Sequence, residues 1–173
     1  MKHWKNVWSF LKRMFKSSGQ ATPPTPPTPS PLPDNGVYRT AKEVRAKLRK
    51  QLAGKLSKSV KIYLPDMEYY CPSVKYVNKV LSENDLDKYL YSSARFDCDD
   101  YAICLKAVFA KDAYRNGTRR APHCFGIVHG LLPGPHAVNF MINDDGIVRF
   151  CEPQTDLVFL PGNTHKGIWL LMA

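Results

Sequence analysis

Apolar residues recur at three- and four-residue spacing at the start of the chain, at Trp4, Val7, Trp8, Leu11, Met14 and Phe15. Lys2, Lys5, Lys12, Arg13 and Lys16 fall mostly on the other side. This pattern predicts a basic amphipathic helix over 1–18. Residues 22–33, Thr-Pro-Pro-Thr-Pro-Pro-Thr-Pro-Ser-Pro-Leu-Pro, break all periodicity and predict an extended polyproline spacer within a linker over 19–36. Asp34-Asn35-Gly36 reads as a turn. In the basic segment 37–60, Thr40 is placed to cap a helix whose apolar residues Val44, Leu48 and Leu52 repeat every four positions.

The pattern changes in 61–173, the segment expected to fold as the main domain. A strand is predicted at Val60–Leu64 at its opening, and a helix at Ser73–Ser82 with Val74, Val77, Val80 and Leu81 inward. A second helix, Asp97–Asp112, is apolar nearly all round and is expected in the core. Strands follow at Phe125–Leu131, His136–Ile142, Ile147–Cys151 and Ile168–Met172, with Asn143-Asp144-Asp145-Gly146 as a hairpin turn. Helices followed by a run of antiparallel strands give an α+β class.

Charge sharpens this division. Residues 1–61 carry 14 basic and 2 acidic side chains, and 62–173 carry 11 basic and 13 acidic, so the net +10 belongs to the first third. A near-neutral domain with a basic arm argues against nucleic acid as the partner, and the cations of the 37–60 segment read as a solvated helix face. With Trp and Phe opposite its lysines, the segment 1–16 suits an anionic membrane surface or a partner protein. No apolar run reaches the length of a membrane span, and Lys5, Lys12, Arg13 and Lys16 interrupt any leader-like stretch. Five cysteines without a CxxC pair point to a reduced, cytoplasmic protein, which the segment 1–16 would hold peripherally at a membrane.

One constellation carries chemistry. Cys98 opens the most apolar helix, where free amides and the helix dipole favour a thiolate. His136 opens the second strand of the run and Glu152 lies on the next, which completes a Cys-His-Glu order. Cys104, inside the same helix, reads as core, and His3, His123, His129 and His165 compete with His136. Asp97, Asp99 and Asp100 oppose a thiolate unless a cation or imidazolium offsets them. Asp97, Asp99, Asp100, Asp144 and Asp145 offer hard oxygen ligands of the kind Ca2+ takes, with Asp99, Asp100, Asp144 and Asp145 as the expected metal ligands, although Asp144 and Asp145 are equally suited to forming their turn. The amide of Cys98, with Tyr69 or Tyr70, would serve as oxyanion donor.

The string Phe96-Asp97-Cys98-Asp99-Asp100-Tyr101-Ala102 resembles the nucleophile motif of transglutaminase-like cysteine peptidases. Arg120-Ala121-Pro122, Leu132-Pro133-Gly134-Pro135-His136-Ala137-Val138-Asn139, Asn143-Asp144-Asp145 and Phe150-Cys151-Glu152-Pro153-Gln154-Thr155 extend the likeness. Together they resemble the C-terminal cysteine-protease domain of the Marasmius oreades agglutinin and its bacterial and phage relatives. The resemblance covers roughly residues 62–173. It implies a papain-like or transglutaminase-like α+β domain, a nucleophile helix packed on an antiparallel sheet, and a thiol peptidase using Cys98, His136 and Glu152 with calcium on a peptide or protein substrate. The sugar-binding β-trefoil that precedes this domain in the fungal lectin has no counterpart here, so carbohydrate binding is not expected. The alternatives are an acyltransferase, or a tethered, catalytically inactive binding module of the same fold.

Overall fold

Thr40 ends one element and starts another. It closes the strand β1 (Val37–Thr40) and caps the helix α1 (Ala41–Gln51). Its hydroxyl accepts from the Glu43 amide at 3.3 Å while the Glu43 carboxylate accepts from the Thr40 amide at 2.8 Å. This reciprocal box satisfies amides that a helix start leaves open. The computed structural model describes residues 35–173; the amphipathic helix expected over 1–18 and the Pro-rich linker as far as residue 34 lie outside the described residues.

The remaining elements are β2 (Leu56–Tyr63), β3 (Glu68–Cys71), α2 (Val74–Ser82), a 3-10 turn (Leu86–Lys88), α3 (Cys98–Arg115), β4 (Phe125–Leu131), β5 (Pro135–Ile142), β6 (Val148–Glu152), β7 (Leu157–Phe159) and β8 (Lys166–Met172). β1 and β3 form a two-stranded antiparallel sheet, and a six-stranded sheet runs in the order β2-β8-β4-β5-β6-β7. The purely antiparallel sheet expected from sequence is corrected here, because β2 pairs with β8 in parallel, Ile62 opposite Leu171 and Tyr63 opposite Met172. Alternation along a strand fixes which side chains point inward but says nothing of direction. β1, β3 and β7 are three or four residues long, too short for alternation to register.

Each face of the large sheet carries its own core. On one, α1 presses Val44, Leu48 and Leu52 onto Val128, Val138, Phe140, Val148 and Phe150. On the other, α2 and α3 bring Val77, Leu81, Leu105 and Phe109 against Phe125, Met141 and Cys151. The Phe109 and Phe125 rings stack with centroids 3.8 Å apart. Burying a side chain of this size stabilises by about 2–3 kcal/mol. Asn139, fully buried on β5, donates to the Ala102 carbonyl of α3 at 2.9 Å and to the Gly126 carbonyl at 3.1 Å, so a polar clip fixes the helix to the sheet. Among the described residues, no helix is long and apolar enough to cross a membrane.

Candidate functional site

α3 begins with a capping box built from acids. The Asp97 carboxylate accepts from the Asp99 amide at 3.3 Å, and the Asp100 carboxylate reaches back to the Asp97 amide at 3.2 Å. Cys98 is the first helical residue, half-buried against the small cluster of Ala102, Ile127 and Ala137. The ligand atoms of Asp97, Cys98 and Asp99 lie within 4.8 Å of one another. The Asp97 carboxyl is held above its ordinary value, first by its hydrogen bond with the Asp99 carboxyl and then by desolvation.

The second half of the site lies on β5 and β6. His136 Nε2 meets Glu152 Oε2 at 2.8 Å, and both side chains are about one-quarter exposed or less, at 23% and 22%. The register explains the meeting. Asn139 lies opposite Cys151, so His136 and Glu152 fall on one face and within diagonal reach of each other. By the same alternation the Cβ of His136 points to the other face from that of Ala137. Cys98 therefore reaches this end of β5 from the α3 side, and the His136–Glu152 pair from the α1 side. Among the described residues no hydrogen bond joins Cys98 to His136.

The four aspartates expected as metal ligands are not brought together. Asp99 is in the cluster, but Asp100 is turned into the cap. Asp144 and Asp145 form the β5–β6 turn, where Asp144 accepts from the Asp145 amide and Asp145 holds Arg149 in a two-pronged ion pair. That turn is seven residues along β5 from Ala137, about 23 Å at a strand's rise. Tyr69 and Tyr70 are likewise removed from the helix mouth: their hydroxyls accept from the Asp66 and Gly36 amides.

Two residues near the mouth were named from the sequence but left outside the expected site. Asp97, weighed there as a hard oxygen donor, is one, a ligand atom as well as a cap. His129 is the other: it lies opposite Ala137, so it shares the α3-covered face with Ile127 and Cys98. Burial pulls its imidazole below the ordinary value while the Asp99 charge pulls upward, and the Trp169 ring lies 6.5 Å away. Its position one alternation beyond Ile127 was the available signal. Among the described residues, the two other histidines are engaged in the fold. His123 is buried in a network with Asp112 and Arg119, and His165 Nδ1 accepts from the Gly162 amide.

With this geometry in hand, comparison with known proteins is informative. The family model for the ricin-type β-trefoil lectin C-terminal domain matches residues 37–166. Among solved structures, PSL1a in its complex with E64 is 25% identical with a TM-score of 0.68, over 79% of this chain and 51% of that one. The Polyporus squamosus lectin bound to the human-type influenza-binding epitope Neu5Acα2-6Galβ1-4GlcNAc is 23% identical with a TM-score of 0.63, over 79% and 49%. The chain thus spans about half the length of each. No curated protein matches.

These matches correct two expectations. The papain-like or transglutaminase-like α+β assignment gives way to the fold shared with these structures, here, among the described residues, a mixed sheet with three helices. The thiol peptidase assignment falls with it, since the matching family is a lectin domain and none of these proteins is named as a peptidase. The physical reason is that heptad-length motifs around Cys98 and His136 encode a capped helix start and a strand start. Both are present, but neither local geometry specifies a reaction.

Proposed function

Because the chain belongs to the family of ricin-type β-trefoil lectin C-terminal domains, we propose that it works as a ligand-binding module whose site is the mouth of α3. The observation that carries this is the gathering of the Asp97 and Asp99 carboxylate oxygens with the Cys98 sulfur within 4.8 Å of one another. Paired carboxylates with oxygens this close repel, and a divalent cation between them relieves the repulsion. The donor set fits calcium through the two carboxylates, while the Cys98 thiol is too soft to be one of its ligands. Bound there, calcium would supply charge for an anionic or hydroxyl-rich ligand. Asp99 and Asp97 hold the ion, and Cys98 lines the site with the free amides of the first turn.

The ligand class to test first is a sialylated glycan. The Polyporus squamosus lectin is bound to one, and its carboxylate is a natural second ligand for a cation held by aspartates. The experiment is calorimetric titration of the trisaccharide Neu5Acα2-6Galβ1-4GlcNAc into the full chain, with calcium and with a chelator, repeated in Asp97→Asn/Asp99→Asn. Binding that needs calcium and is lost in the double variant supports the reading. Binding indifferent to both removes the cation from it. No heat from the glycan, but calcium binding that the double variant loses, retains the cation site and removes the glycan.

A further inference from the structure

Residues 41–63 carry eight lysines and arginines against one acid, Glu43, and that carboxylate is already taken by the Thr40 amide and hydroxyl. The fold lays this segment out as α1 and the edge strand β2. The two are tied together where the Arg45 guanidinium donates to the Ile62 carbonyl at 2.8 Å. With Val44 and Leu48 turned into the core, Lys42, Arg49 and Lys50 are exposed on the helix and Lys58 and Lys61 on the strand. Among the described residues none of these five forms an ion pair, whereas Lys79, Arg119, Arg120 and Arg149 each hold a carboxylate. Such an excess of unneutralised cations is tolerated at the cost of mutual repulsion, which an anionic surface removes.

We propose that the α1–β2 face is a docking surface for an anionic lipid bilayer, distinct from the site at the mouth of α3. Two observations select lipid over nucleic acid. No aromatic residue is interleaved among the cations from Lys42 to Lys61, and the exposed Tyr63 ends β2 beyond them, so the face has no run of aromatics on which successive bases stack. The sequence upstream places Trp4, Trp8 and Phe15 among five cations, a composition that enters a lipid interface. The residues between 16 and 35, if fully extended as polyproline, reach no more than about 60 Å, so both basic segments can meet one bilayer. An apolar anchor and a cationic face are each weak membrane signals, and they add.

The test is flotation of the full chain with vesicles of phosphatidylcholine containing about one-third phosphatidylserine, a fraction typical of an anionic leaflet model. A cation near such a surface is worth about fivefold in partitioning, so Lys42→Gln/Arg49→Gln/Lys50→Gln lowers it by roughly 100-fold. Lys58→Gln/Lys61→Gln, on the strand, lowers it by roughly 25-fold and guards against a helix-specific folding defect, with circular dichroism as the check. Lys75→Gln/Lys111→Gln, exposed on α2 and α3 across the sheet, leaves partitioning within about twofold, because those charges lie beyond a Debye length from the bilayer. Equal losses in all three variants would mean that only net charge matters and would overturn the proposal. So would unchanged partitioning in the first two, or the loss of binding to a short DNA duplex with vesicle binding intact.

Discussion

Asp156 stands in the turn between β6 and β7 with a positive φ of 56°, and its Oδ1 is buried without a hydrogen-bond partner. Burial first, and the nearby Asp87 charge second, push its carboxyl from an ordinary 3.8 up to about 6. The folded chain therefore holds this proton more tightly than the unfolded chain. Ionisation costs nothing below about pH 4, destabilises progressively as pH rises, and reaches its full penalty above about pH 6. A rise of about two pH units corresponds to about 3 kcal/mol at most. The group remains partly exposed, and screening by solvent reduces this to about 1 kcal/mol. Asparagine has the same shape, tolerates the left-handed backbone and cannot ionise. Asp156→Asn should therefore raise stability by about 1 kcal/mol at pH 7.5, or about 3–4 °C in Tm, and by nothing at pH 4. Urea unfolding followed at Trp169 at both pH values measures it. An equal gain at both would assign the effect to the backbone, and a loss at pH 7.5 would mean that the ionised carboxylate is stabilised by a partner, refuting the reasoning.

Burial alone would raise Asp112, but hydrogen bonds from His123 and Tyr76 and the Arg119 guanidinium hold its carboxyl below the usual range. The stability it supplies is present above its unfolded value of about 4 and is lost as pH falls through the lower folded one. Asp112→Asn should thus cost about 3 kcal/mol at neutral pH, and the gap from the parent in thermal melts should narrow toward pH 3. Tyr76→Phe, which removes the hydroxyl held 3.0 Å from both Asp112 oxygens, should cost only about 1 kcal/mol in the same melts. A Cβ at Gly126 would run into the Met172 carbonyl and the Phe140 ring. Gly126→Ala should lose at least about 2–3 kcal/mol, seen as a shifted urea midpoint. Thr40→Ala removes the α1 cap and should cost about 1 kcal/mol by the same assay.

What the sequence made legible follows from what is local. Thr40 and Ser73 cap helices in both the reading and the structure, since a cap needs a hydroxyl and an amide three residues away. α3 runs three residues past its expected end, because no glycine or proline interrupts Ala113–Arg115, and it stops at Asn116-Gly117. The pairing of β2 with β8 was not legible, because it joins segments a hundred residues apart through backbone groups that every sequence shares. The same holds for β1 against β3, where the registers of Tyr38 on Tyr70 and Arg39 on Tyr69 are set by packing.

The candidate site divides along the same line. His136 and Glu152 were legible as a pair because the Asn143–Gly146 turn fixes the register of β5 on β6, and register decides which side chains share a face. Cys98 at a helix mouth was legible from its cap. The face from which α3 approaches β5 was not, since it depends on how Asn139 clips Ala102 to the sheet. Once that clip is known, alternation assigns the rest. His129 and Ala137 share the α3 face with Cys98, and His136 and Glu152 emerge on the α1 face. The pair Asp144 and Asp145, chosen for chemistry that suits calcium, is excluded by the length of β5 alone. The carboxylates that remain, Asp97 and Asp99, are close because the Asp97 side chain caps the Asp99 amide. The cap that starts the helix is thus also what crowds these two acids together at its mouth.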